Sequence, residues 1–289
     1  MTCNEQLQQV SVVIAAKNSE HLMEDCLKSI RANRPREIIV VDGLSTDATM
    51  QKALPLADKV ISDYGKGIGY ARQIGAEQTT GDYVAFVGPD NIVPDGALKS
   101  LLEELQGTSL GGIQPQVRVL LDSASTYWDR GWNWYLVISH PPGERHVIGT
   151  PALFPKELLL KFKWDAQVIS TDDTDLCLRL RQQGYRVGVG RTVVYEKQRL
   201  DARGFYRRWR WYGIGDARFI RKYMKTNPAI AIRHFFHPLR TYIVGLPIKS
   251  LIKGKPQYVP FFVLCGVTRY LGFWQEAPRL FFPWNKKSA

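Results

Sequence analysis

Two periodicities alternate through the first ninety residues. Apolar, β-branched runs at 10–15, 37–41, 59–61 and 83–87 are separated by stretches whose apolar residues recur at helical spacing. Between the first two runs, Leu22, Cys26 and Ile30 share one helical face, and Ser19 is placed to cap that helix. Strand and helix in alternation predict an α/β fold with a mostly parallel sheet. Ligands of such sheets bind beyond the carboxyl ends of the strands, which directs attention to Lys17 and Asn18, Asp42 and Gly43, and the Gly88–Asn91 turn. After Gly107 the alternation stops. Residues 113–121 read as another strand, 128–134 as a Trp-rich segment and 173–183 as a helix ended by Gly184, with short β-like runs up to Tyr195.

Carboxylates stand at three places where chemistry is expected. Asp42 follows a buried-looking strand and precedes a turn, where it can accept hydrogen bonds from a base or ribose or simply cap a helix. Asp90 follows the strand at 83–87, where a single carboxylate can help hold a hard cation on a diphosphate or act as a turn residue. Asp172, Asp173 and Asp175 open a helix, where the macrodipole favours negative charge and where one of them can serve as a general base. The run Gly65-Lys-Gly67-Ile-Gly69 lacks the third glycine of a dinucleotide loop, and no Gly-Lys-Ser/Thr ending is present, which disfavours a dehydrogenase or a P-loop kinase.

The order and spacing of several motifs resemble a family 2 inverting glycosyltransferase of GT-A fold. Ser11-Val-Val-Ile-Ala-Ala-Lys-Asn18 is similar to that family's first strand and nucleotide-binding turn, with Ala15 and Lys17 in place of its usual proline and tyrosine. Glu37-Ile-Ile-Val-Val-Asp-Gly-Leu-Ser-Thr-Asp47 resembles its second strand, with Gly43 replacing one acidic residue. Gly69-Tyr-Ala-Arg-Gln-Ile-Gly-Ala76 and Gly81-Asp-Tyr-Val-Ala-Phe-Val87 follow, then Gly149-Thr-Pro-Ala-Leu-Phe154, Lys163-Trp-Asp165 and Thr171-Asp-Asp-Thr-Asp-Leu176. The resemblance covers roughly residues 10–195. It implies a GT-A-like, Rossmann-type sheet flanked by helices and a nucleoside-diphosphate sugar donor. Ala16 and Asn18 would line the nucleotide turn, Asp42 would contact the base, and Arg72 would approach base or diphosphate. Asp90 would bind a divalent cation (Mg or Mn), Asp172 stands where the family usually has Glu, and Asp173 would deprotonate the acceptor. The paired-aspartate metal motif reads Gly88-Pro-Asp90 here, so its first carboxylate is missing.

Charge divides the chain. Residues 1–195 hold 20 Lys/Arg against 23 Asp/Glu, whereas 196–289 hold 19 against 4 together with 19 of the 33 aromatic side chains. The expected organisation is therefore a catalytic domain over 1–195 and a basic, aromatic, amphipathic helical extension over 196–289. Phe205, Trp209 and Tyr212 fall on one helical face amid Arg207, Arg208 and Arg210, which are candidates for gripping a diphosphate or a lipid phosphate. Basic residues with interfacial rings suit a helix lying on an anionic leaflet, and the segments 239–252 and 258–274 read the same way. A small aromatic core or a homo-oligomer interface is the alternative for the tail. His234 and His237 read as packed or interfacial, without a third ligand for a metal.

Cys3, Cys26, Cys177 and Cys265 are scattered, which argues against disulfides or a zinc site and fits a reducing compartment. No signal peptide or transmembrane helix is expected, since charge-free stretches such as 256–268 fall short of the roughly 20 residues that span a bilayer. The expected setting is peripheral, on the cytoplasmic face of a membrane, with a lipid-linked or membrane-proximal glycan as acceptor. Rival readings are a non-catalytic membrane-bound nucleotide-binding module and a nucleic-acid-binding protein; no nucleic acid is expected, because apolar segments of this length are unusual in a nucleic-acid tail.

Overall fold

A computed structural model describes residues 8–197 and 199–281. Cys3 and the last eight residues of the tail lie outside the described residues. The chain forms two compact units. The first takes residues up to 120, 140–166 and from 172 to the end of the last strand, and the second takes 121–139, 167–171 and the chain from 199 onward. The second unit thus draws on two earlier segments, of which only the first, with its Trp-rich stretch at 128–134, stands out in composition.

The first unit is built on one sheet. Its strands are β1 (Val10–Ala16), β2 (Glu37–Asp42), β3 (Lys59–Ser62), β4 (Tyr83–Val87), β5 (Asn91–Ile92), β6 (Leu110–Val119), β7 (Gly143–Arg145), β8 (Ala152–Pro155) and β9 (Arg186–Glu196). Along the sheet they run β3-β2-β1-β4-β8-β6-β9-β5, with β7 pairing β9. The neighbours β3, β2, β1 and β4 are parallel, as are β6 and β9, while β8 runs antiparallel between β4 and β6. Register places Ala16 opposite Asp42 and Ile14 opposite Val87, so the turns after β1, β2 and β4 emerge side by side at one end of the sheet.

Both faces of these strands are covered, which is why they read as continuous apolar runs. Val10, Val12, Ile14, Ile38 and Val40 pack with Met23, Cys26, Leu27 and Ile30 of α1 (Glu20–Ala32). Val13, Ile39, Val41, Val84 and Phe86 turn to the other face, which they share with buried residues of helices described below. After α1 come α2 (Thr49–Ala53), α3 (Ile68–Gln78) and α4 (Ala97–Gln106). Ser19 does not cap α1 with its side chain; its hydroxyl donates to the Lys17 carbonyl. Asp47, from the turn after β2, accepts the Glu20 N–H instead.

The second unit is helical. It contains α5 (Tyr127–Ser139). The chain then returns to the first unit for α6 (Lys156–Phe162) and α7 (Asp172–Gln182) before α8 (Ala202–Met224), α9 (Pro228–Phe235), a π-helical segment (Leu239–Gly245), α10 (Leu246–Ile252) and α11 (Val259–Phe281) complete the second. The rings expected to rest on a leaflet do not do so: Phe205 and Trp209 are buried and Tyr212 is half-buried. They form the core of this unit, with Trp128 at 4.5 Å from Phe205 and Trp132 at 6.3 Å from Trp209 between ring centroids. Arg269 is likewise interior, held by Asp216 of α8. At the α8 and α11 crossing, a Cβ on Gly213 or Gly272 would overlap the carbonyl oxygen of Arg269 or Arg210, so the two backbones approach where no side chain intervenes.

Around Arg269 the second unit carries a buried polar cluster. Burial alone would raise the Asp216 carboxyl, but the Arg269 guanidinium and His234 at 2.7 Å together outweigh it and hold it well below the usual carboxylate range. Burial pushes the neighbouring His237 imidazole down to about 3, with the charges of Arg269 and His234 acting the same way and Asp216 opposing them. Both histidines are packed, as their sequence context implies. The unfolded chain accepts a proton on His237 below about pH 6.5 whereas the folded chain refuses it, so stability declines as pH falls through that window. Thermal melts should show a loss of about 2 kcal/mol, a drop of some 4–8 °C, between pH ~7.5 and pH ~5. His237→Leu should flatten most of that slope, and an unchanged slope would remove His237 as its source.

Candidate active site

The turns at the carboxyl end of the sheet are tied to each other by side chains. Asn18 takes a left-handed conformation (φ 49°), accepts the Thr46 N–H at 2.9 Å through its side chain and donates its own N–H to the Ser45 hydroxyl at 2.9 Å. Asp42 ends β2, is 5% exposed and accepts the Ser45 N–H at 3.1 Å. Gly43 N–H donates to the Ala16 carbonyl at 2.8 Å. Ala16, Asn18 and Asp42 thus come together as one wall, with the Gly88-Pro-Asp90 turn following the adjacent strand β4.

At that turn, glycine in place of a carboxylate has a visible consequence. A Cβ added to Gly88 would lie 2.6 Å from Asp90 Oδ1, so the Asp90 carboxylate occupies the space above the bare Cα. Among the described residues no group of three or more His, Cys, Asp or Glu is placed to hold a metal. A single hard carboxylate fits a cation whose other ligands are phosphate oxygens and water, the arrangement common for Mg at nucleotide sites, and does not fit an all-protein cage. Cys26, whose thiol donates to the Gly88 carbonyl at 3.3 Å, is pushed up by burial and by the nearby Asp90 charge, so it is neither nucleophile nor ligand.

The acidic knot divides its labour. Asp172, 2% exposed, takes the Arg72 guanidinium of α3 at 2.5 Å. The other fork of Arg72 donates to the Thr150 hydroxyl at 2.7 Å, and its plane lies over the Trp164 ring at 5.0 Å. Trp164 is positioned in turn by its backbone N–H, which donates to the Gln73 side-chain oxygen at 2.9 Å. Asp175 is buried against Arg179, one turn along α7, at 2.8 Å. Asp173 alone of the three is partly exposed; its Oδ1 accepts the Thr174 N–H at 2.7 Å, and a Cβ on Gly149 would stand 3.0 Å from its Oδ2. Gly149 is held by the Gln114 side chain at 2.8 Å. Cys177, which feels the Asp173 charge, is pushed up to about 12, chiefly by burial, and offers no thiolate.

Arg72 therefore sits in a closed set of partners, joining α3, the 149–151 loop and the start of α7. Sequence reading does not single out Thr150, Trp164 or Gln73 for a role, since each acts through a partner far along the chain. Nor does it find Asp63, which is 3% exposed after β3 and accepts the N–H groups of Gly65 at 2.7 Å and Gly67 at 3.2 Å ahead of α3. An Asp directly between a strand and a Gly-x-Gly turn is the signal for it. The remaining candidates, Arg207, Arg208 and Arg210, belong to the second unit. Arg207 is exposed, Arg208 stacks over the Trp132 ring at 4.6 Å and Arg210 donates to Gln275.

Comparison with known proteins bears on the fold and the family. The chain is 23% identical over 240 residues to the beta-monoglucosyldiacylglycerol synthase of Synechocystis sp., a match covering 70% of this chain and 50% of that protein. It spans half or less of the length of the curated relatives it matches. Among solved structures it resembles S. aureus TarS (residues 1–349) in complex with UDP-GlcNAc, with a TM-score of 0.53 and 16% identity over 93% of this chain and 90% of that one. It also resembles the glucosyl-3-phosphoglycerate synthase of Mycobacterium tuberculosis in complex with Mn2+, UDP and glucosyl-3-phosphoglycerate, with a TM-score of 0.52 and 19% identity over 69% and 77% of the two chains. These likenesses show a shared fold of GT-A type. The sequence profile of glycosyl transferase family 2 matches residues 11–162, just over half of the chain. On that match, with the ordered strand-end carboxylates and the acidic helix start in place, the chain belongs to glycosyl transferase family 2.

Proposed function

We infer that the chain moves a sugar from a nucleoside-diphosphate sugar to a hydroxyl of a lipid-linked or membrane-proximal glycan, with inversion at the anomeric carbon. The observation that carries this reading is the start of α7, where Asp172 and Asp175 are buried against Arg72 and Arg179 and Asp173 is partly exposed beside Gly149. In the reaction, the acceptor O–H gives its proton to an Asp173 oxygen as the oxygen forms its bond to the anomeric carbon. The bond from that carbon to the diphosphate breaks, and the nucleoside diphosphate leaves with the electron pair. One carboxylate suffices, because no covalent intermediate forms. Ala16, Asn18 and Asp42 form the wall for the base and ribose.

The donor class is supported by the UDP-GlcNAc and UDP complexes of the solved structures of like fold. An acceptor at a lipid surface is supported by the name of the Synechocystis relative. Asp90 would hold a divalent cation together with the donor phosphates, and the cation, when bound, offsets charge on the departing diphosphate. Release of nucleoside diphosphate from a panel of donor sugars, with extracted lipids as acceptors, tests the activity; no release with any donor would overturn it. In a thermal-shift titration, Asp90→Ala should lose a cation-dependent gain of about tenfold in donor affinity, or about 1.4 kcal/mol. Equal binding by the variant and the parent, with and without Mg or Mn, would remove the metal role of Asp90.

A further inference from the structure

Helix α11 is built inside out for a protein surrounded by water. Its solvent-facing stripe is Leu264, Val267, Leu271 and Trp274, at three- and four-residue spacing and between 41% and 59% exposed. Its buried face, although it carries Phe261, Phe262 and Phe273, also holds Thr268, Arg269 and Glu276. On α10, which packs against α11, Ile248 and Ile252 are 50% and 79% exposed. Large apolar side chains gathered on one face mark a surface that something covers.

Charge identifies what that is. From Ala217 to Gln275 the chain has ten Lys/Arg and no Asp or Glu. Arg269 is consumed inside by Asp216, but Lys249 on α10 and Lys253 and Lys255 in the connection from α10 to α11 are on the surface. A second copy of this chain would set like charges against each other, whereas an anionic leaflet would meet them with opposite charge. No helix among the described residues is long and apolar enough to cross a membrane, so these helices suit a position in the plane of one leaflet. We propose that this face of the second unit seats in one leaflet of an anionic membrane, with the α11 stripe among the acyl chains, Trp274 at the headgroup boundary and the three lysines at lipid phosphates. This differs from a basic helix lying flat on its aromatic face: Phe205, Trp209 and Phe219 of α8 pack inward, and the inserting residues come from α10 and α11. The proposal concerns binding to lipid and does not depend on the transfer reaction.

The test is sedimentation of the full chain with vesicles of phosphatidylcholine alone or with about 30% phosphatidylglycerol. Partition should be at least tenfold stronger to the anionic vesicles, and should fall in about 1 M salt, where the Debye length is ~3 Å. Leu264→Ser with Leu271→Ser should lower it a further tenfold or more at the cost of only a few degrees in melting temperature, since the two side chains are 41% and 52% exposed. Light scattering runs in parallel. Partition of the double variant equal to the parent's would overturn the proposal. So would failure of the parent to bind vesicles, and a dimer that the same substitutions dissociate would then assign the face to a second copy.

Discussion

Asp173→Asn should lower sugar transfer by about 10²–10⁴-fold, the usual contribution of a positioned general base, while the thermal shift produced by nucleoside diphosphate stays as in the parent. Asn has the same shape, so its amide oxygen can keep the hydrogen bond from the Thr174 N–H, and Gly149 still leaves room beside it. What the amide cannot do is take the acceptor proton. The loss should therefore appear in kcat, with little change in donor affinity. Full activity in the variant would sink the assignment of the base, and loss of donor binding would show that Asp173 belongs to the donor site instead. Asp172→Asn differs in kind, because it strikes the partner of a buried cation and lowers stability before it reaches chemistry.

Arg72→Met should destabilise the fold by about 3–5 kcal/mol, because it leaves the Asp172 carboxylate buried without its counter-ion. Arg72 and Asp172 are 8% and 2% exposed, so water reaches neither well enough to replace the lost partner. For a unit of this size the melting temperature should drop by roughly 10 °C. Arg72→Lys should recover only part of this, since an ammonium cannot present the planar fork that engages Asp172 and Thr150 together while stacking on Trp164. Arg72→Met combined with Asp172→Leu removes both charges and should regain more than half of the loss. A single variant within about 1 kcal/mol of the parent would mean that the pair does not hold the start of α7. Geometry thus points Arg72 at the support of Asp173, where the resemblance alone points it at the donor.

What could be read in advance follows from the range over which each signal acts. The first four strands were legible because burial on both faces makes a strand a continuous apolar run, and their boundaries agree with the structure to about one residue. Asp42, Asp90 and Asp173 were legible as candidates because each is adjacent in sequence to the strand or helix end that positions it. Contacts between distant residues were not. Arg72 and Asp172 are 100 positions apart, and Arg269 and Asp216 are 53 apart; nothing local to either member records its partner. The N-terminus of α1 misleads for the same reason, since Ser19 has the right identity for a cap and Asp47, 27 residues beyond Glu20, supplies a carboxylate to the Glu20 N–H. In the tail, aromatic periodicity marks a face but not what lies against it, and α5, which supplies Trp128 and Trp132 to that core, comes from before the charge boundary.

That interleaving also sets an order of events during synthesis. Helix α5 emerges early but belongs to a unit whose other helices begin at Ala202 and end at Phe281. At ~5–20 residues per second, its tryptophans wait on the order of ten seconds for their packing partners. During that interval Trp128 and Trp132 lack the aromatic neighbours of α8, leaving a nascent chain with a sticky, unfinished helix for chaperones to shield. A chain cut after the sheet would remain in that state permanently, so the boundary that charge draws near residue 195 is not one at which the protein can be divided into two self-sufficient pieces.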